Sequence, residues 1–217
     1  MVKMFSRNFA STPALGALIA ALCLLPACSI STKDNDKRVD IQSPMGDVHV
    51  DKGSEGDKRV DIQSPVGDLH VSEQADIRDA GLSLYPGAKP APKDDSDDKK
   101  SANVNLSIAG FSLKVVAAEF VSDDAPDKVT AYYDKELQKY GKPIQCHGSW
   151  SSGHANYSGK DDMSRPVACG KEDGGDSVEL KVGTEGNQHL VSVKPSNKGS
   201  RFALVYVRMH TGKDETI

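Results

Sequence analysis

Cys146, His147, His154 and Cys169 place two thiols and two imidazoles inside one polar stretch rich in Gly, Ser and Asp. Together they could hold zinc, but such ligation uses recognisable short spacings, and these four match no familiar finger. Two thiols in an oxidising compartment instead close a disulfide, here around a loop of about 24 residues. That loop would be pinned at both ends, leaving His147, Trp150 and His154 as the side chains able to contact a small ligand. Ser149-Trp150-Ser151-Ser152-Gly153 departs from the G-x-S-x-G nucleophile elbow at its first position, and no strand-to-helix turn is expected around it. No Walker loop, HExxH or dinucleotide fingerprint occurs. The expectation is a Cys146–Cys169 disulfide with no catalytic residue, no metal and no cofactor.

Two further sets of ionisable residues have the right chemistry but the wrong surroundings. His49 and His70 occupy equivalent places beside Asp47 and Asp68, yet a metal site needs converging third and fourth ligands. They read as solvent-facing. Asp94 to Lys100 is an acidic-then-basic cluster without the central glycine and closing glutamate of an EF-hand, so it reads as solvated loop.

The disulfide presupposes export, and the N-terminus supplies it. Lys3 and Arg7 form a basic leader, and Ala14 to Leu25 is apolar apart from Gly16. A run of about a dozen residues falls short of the ~20 that cross a bilayer as a helix and suits a signal peptide. It ends in Leu24-Leu25-Pro26-Ala27-Cys28, which resembles the lipobox of bacterial lipoproteins. The resemblance implies removal of residues 1–27, acylation of Cys28, and a membrane as partner through that lipid. Ser29 after the cysteine implies the outer membrane, with the protein facing the periplasm.

Lys3 and Arg7 are the only charged residues before Cys28, so the mature chain keeps 25 basic and 31 acidic residues, a net charge of −6. No basic patch suited to nucleic acid stands out. Cys23 is lost with the signal and Cys28 is acylated, which leaves Cys146 and Cys169 as the even pair.

Past a short polar leader, Asp36–Val50 recurs almost unchanged as Asp57–Val71. In each copy apolar residues alternate (Val39, Ile41, Val48, Val50; then Val60, Ile62, Leu69, Val71) around Ser-Pro-x-Gly-Asp. Proline in the turn and glycine after it predict one β-hairpin per copy. Edge strands of such hairpins suit docking by β-augmentation. The alternation with its Gly-Asp turn resembles the repeated strands of bacterial adhesin-type β-solenoids.

From Leu82 the pattern changes. Leu82–Ala88 predicts a brief strand and a Pro-Gly turn; Val104–Ile108 and Phe111–Phe120 predict two strands around Gly110. Asp123 or Asp124, then Pro126 and Asp127, open a helix whose apolar stripe is Val129, Tyr132, Tyr133, Leu137 and Tyr140, closed by Gly141 and Pro143. Ser122–Gly141 resembles a strand-then-helix segment of bacterial envelope αβ domains. A short strand at Ile144 and three more near Val178–Val182, Leu190–Val193 and Phe202–Met209 complete the domain.

The expected organisation is a signal peptide (1–27), a lipidated tether with two β repeats (28–81, repeats 36–50 and 57–71) and a disulfide-bonded domain (82–212). The expected class is α+β: an antiparallel sheet with one main packed helix behind a duplicated hairpin-like tether. The expected function is non-enzymatic, a cell-envelope lipoprotein with a binding or structural role and an envelope protein as partner. The alternative is a small-ligand or metal-binding domain built on the loop between Cys146 and Cys169.

Overall fold

The computed structural model describes residues 29–33, 38–52, 58–92, 101–148, 163–170 and 175–212. Cys28 therefore lies outside the described residues, as do Trp150 and His154. Within the described residues the strands, in chain order, are β1 (Ser29–Lys33), β2 (Arg38–Ser43), β3 (Gly46–Lys52), β4 (Lys58–Ser64), β5 (Gly67–Ser72), β6 (Lys89–Pro90), β7 (Ser101–Ile108) and β8 (Phe111–Ser122). After helix α1 (Pro126–Leu137) come β9 (Ile144–Gly148), β10 (Ser177–Thr184), β11 (Asn187–Ser196) and β12 (Gly199–Thr211). All twelve strands join one sheet in the order β1-β2-β3-β4-β5-β7-β8-β12-β11-β10-β9, with β6 paired to β8, and every pairing is antiparallel. The result is an antiparallel sheet with one packed helix, more dominated by strand than an even α+β balance.

The repeats were expected ahead of the domain; their strands β2–β5 lie inside the same sheet. β5 pairs β7 from Gly67↔Ile108 to Ser72↔Asn103, so the sheet runs on into the C-terminal half. Ile77 and Ala80 share one core with Leu82, across the expected boundary at 81/82. Because β2–β5 are hydrogen-bonded on both sides, they have no free edge for augmentation; the terminal strands of the path are β1 and β9. Ser29–Lys33, read as a polar leader, is strand β1 because β2 offers it a partner.

The repeated turn explains the repeated glycine. Each hairpin closes on two residues, with Ser43 paired to Gly46 and Ser64 to Gly67, and the serine hydroxyl donates to the glycine carbonyl at 2.8 Å in both. Gly46 (φ 140°) and Gly67 (φ 156°) face the next strand so closely that a Cβ would sit 2.4 Å from the Gln63 carbonyl oxygen or 2.1 Å from that of Ser107. Any side chain there would push the neighbouring strand away.

Alternation gives the sheet two unlike faces. On the helix face, Val116, Ala118 and Phe120 of β8 meet Phe202 and Leu204 of β12, Val191 and Val193 of β11 and Leu180 and Val182 of β10. Val129, Tyr133 and Leu137 of α1 are fully buried against them, four residues apart on one stripe. Ala125, not Asp123 or Asp124, is the helix N-cap and has no side-chain cap bond. Asp124 is engaged elsewhere, accepting from Lys128 Nζ at 2.8 Å and from the Tyr85 hydroxyl at 2.9 Å. The Lys128 bond first, then that of Tyr85, holds its carboxyl below the ordinary range.

Leu82–Tyr85, expected as a strand, is an extended strap across the helix. Leu82 and Tyr85 are buried, and the Tyr133 hydroxyl accepts from the Tyr85 backbone N–H at 3.0 Å while donating to the Ser83 carbonyl at 3.2 Å. Side-chain bonds here satisfy backbone groups that a strand partner would otherwise take.

The opposite, open face carries two apolar rows. One runs Thr32, Val39, Val50, Val60, Val71, Val104, Val115, Val207; the other Ile30, Ile41, Val48, Ile62, Leu69, Leu106, Leu113, Met209. The core on the helix face takes no residue from β1–β5.

Candidate functional site

Where the helix ends, the helix face turns polar. Directly opposed residues form a row Asp61–His70–Asn105–Lys114–Arg208 across β4, β5, β7, β8 and β12. The next row is Gln63–Asp68–Ser107–Ser112–His210. These ten side chains line a groove of about 510 Å³. Alternation dictates the pattern: each residue of the first row lies between two apolar residues of the open face, so the same strands build both surfaces.

The groove is charged in opposite senses at its two ends. Asp61 and Asp68 stand on β4 and β5; Lys114 and Arg208 stand two to four strands away, roughly 10–19 Å at ~4.8 Å per strand. Among the described residues neither Lys114 nor Arg208 has an ion-pair partner. The row continues outward through the repeats as Asp40–His49–Asp61–His70, alternating carboxylate and imidazole. Within each hairpin His Nδ1 is hydrogen-bonded to the aspartate opposite, His49 to Asp40 and His70 to Asp61. Each bond fixes its ring and leaves Nε2 as the outward nitrogen.

Sequence reasoning coupled His49 and His70 with Asp47 and Asp68, two residues away along the same strand face. The structure couples them with Asp40 and Asp61, which lie directly across the hairpin. The signal was present in the repeat itself: with Ser43 opposite Gly46, simple counting sets Asp40 against His49. Among the described residues no group of three or more His, Cys, Asp or Glu side chains is arranged to hold a metal ion. Asp40–His49 and Asp61–His70 can therefore orient an imidazole, accept a proton or bind a partner's donor through Asp.

Two residues before Arg208 on the same face of β12, Tyr206 belongs to an aromatic stack outside the groove. His189 lies against Tyr140 (centroids 3.7 Å apart) and Tyr206 (4.7 Å) and is only 7 % exposed. Burial pushes its pKa down to about 4, against the raising effect of a hydrogen bond with the Ala80 backbone; the Lys139 charge lowers it slightly further. The unfolded chain would protonate near ~6.5, so between ~6.5 and ~4 it binds the extra proton. Stability is then complete above pH ~6.5 and falls as pH drops toward 4, by about 3 kcal/mol. Urea unfolding at pH 7.5 and pH 4.5 checks this, and His189→Phe should remove most of that difference.

The disulfide is present: Cys146 on β9 is bonded to Cys169, with Cα atoms 5.5 Å apart. His147, the described member of the ligand set His147, Trp150 and His154, is exposed on β9 and receives a hydrogen bond from Gln145 Nε2 at 3.2 Å. Gln145 and His147 lie on the terminal strand, far along the sheet from the polar groove. No helix among the described residues is long and apolar enough to cross a membrane.

Comparison with known proteins found no match to this chain among family models, curated proteins or solved structures.

Proposed function

We propose that this chain is a lipid-anchored, non-enzymatic binding protein of a bacterial cell envelope. Cys28 carries the lipid and holds the protein on the outer membrane, facing the periplasm. The groove engages an extended envelope partner, with the partner's acidic groups toward Lys114 and Arg208 and its basic or donor groups toward Asp61, Asp68 and His70.

The observation that carries the binding reading is the separation of charge along one groove on paired strands. Rigid strands hold side chains more firmly than a loop does, and complementary potentials select a partner by sign and register. Support for the anchor comes from the resemblance at Leu24–Cys28 and from the disulfide, which suits an oxidising compartment.

The test is capture in intact cells with a short crosslinker. Lys114→Glu combined with Arg208→Glu should reduce the partner adduct at least ~10-fold, since like charge set against a partner's acid costs several kcal/mol. Lys194→Glu, on a different part of the sheet, should leave it unchanged. Equal capture by wild type and the double variant would remove the groove from the binding reading.

A further inference from the structure

Among the described residues nothing lies over the open face from β2 to β8, whereas Val207 of β12 is already buried, and we infer that a second copy of this chain covers that stretch, the two sheets stacking face to face. Fifteen of the sixteen residues in its two rows are Val, Ile, Leu or Met, and from β2 to β8 these residues are half-buried, not buried. Single-layer sheet is exposed on both sides, so cross-strand neighbours cover only part of each side chain. A second layer about 10 Å away is the arrangement that buries such rows.

Three observations favour a copy of the chain as the occupant. First, area: the seven strands from β1 to β8 at ~4.8 Å and two to three residues at ~6.8 Å cover roughly 34 by 14–20 Å. A pair would bury about 950–1,350 Å², at the threshold where specific association begins. Second, composition: the two rows contain no Trp, Tyr, Phe or Arg. Bilayer-lying surfaces and the energetic centres of unlike interfaces lean on those residues, whereas sandwich cores are built of aliphatic rows. A net charge of −4 further disfavours anionic lipid. Third, repetition: the four apolar residues of the first repeat recur two strands later, so a stacked copy meets the same pattern in more than one hairpin.

Charge sets the direction of stacking. Lys52 and Lys58 are paired side by side at one end of the rows. A twofold axis lying across the strands sets them over the uncharged turn end of the other copy; an axis along the strands would oppose lysine to lysine. The inference is independent of the lipid anchor and of the groove.

The experiment uses the full chain in its native cells, with a diazirine analogue of leucine replacing Leu69 on the open face or Asn105 on the helix face. The result expected is an adduct of two identical chains from position 69, at least ~10-fold more abundant than from position 105. Val60→Asp should abolish it by burying a charge. Excising residues 36–56 should lower it severalfold while keeping the fold, because β1 then meets β4 through the same sequence it met in β2. The Cys146–Cys169 bridge, read by resistance to alkylation, reports that each variant is folded. Adducts from position 69 with lipid or with another protein, no adduct, or equal yields from both positions would overturn the inference.

Discussion

Phe202→Ala lowers the unfolding free energy by about 3–5 kcal/mol. Phe202 is fully buried on β12 at the centre of the aromatic core, with ring centroids 5.6 Å from Tyr133, 5.7 Å from Phe120 and 6.3 Å from Tyr85. Those three rings come from the helix, the neighbouring strand β8 and the strap, so one ring joins all three to β12. Truncation loses the transfer energy of the ring and leaves a cavity that three differently anchored elements cannot all collapse into. With ~5–15 kcal/mol of total stability typical of such a chain, the loss is a large fraction. Urea midpoints measure it, and Phe202→Leu should recover more than half. An unchanged midpoint would mean that the helix layer contributes little to the fold.

Cys28→Ala abolishes incorporation of labelled fatty acid into the protein. The substitution removes the thiol on which the proposed lipidation, and the cleavage that goes with it, depend. Each buried methylene contributes ~0.8 kcal/mol, so the two or three acyl chains proposed for Cys28 would supply essentially all of the membrane affinity that the variant loses. The described residues should fold as before, since β1 begins at Ser29 and is held by its ladder with β2. Phe202→Ala and Cys28→Ala thus separate the two halves of the reading, with the first acting on the fold and the second on location.

Much of the fold was legible locally. Ser-Pro-x-Gly marked both repeat turns, Gly110 marked the β7–β8 turn, and the Val129–Tyr133–Leu137 stripe marked the buried side of the helix. Cys146 and Cys169 declared their bond by being the even pair left once Cys23 and Cys28 were assigned to the expected signal, and the structure joins them. What stayed illegible depended on partners distant in sequence. Whether Val39 to Val71 formed a tether or inner strands was decided by pairing of β5 with β7, which no local period encodes. Leu82 and Tyr85 alternate with polar neighbours as a strand would, but Tyr133 takes the Tyr85 N–H and no ladder forms. Asp124 has the type and place of a helix cap, yet Lys128 and Tyr85 compete for its carboxylate and win.

The groove was the least legible part. Lys114 and Arg208 are unremarkable in sequence, and each alone reads as a solvated charge. They become neighbours only because the chain crosses from β8 over α1 to the far edge and returns through β10 and β11 to place β12 beside β8. The Asp–His pairs were closer to hand, since hairpin counting assigns them, but their alignment with Lys114 and Arg208 again needs the whole sheet.

The most direct test of the proposed lipoprotein identity is the mass of the amino-terminal peptide of the protein recovered from its own membranes. Lipid attachment predicts a peptide that begins at Cys28 and is heavier than its sequence by acyl-bearing groups on that residue. A peptide that begins at Met1, or one that begins at or after Cys28 with no added lipid, would contradict it.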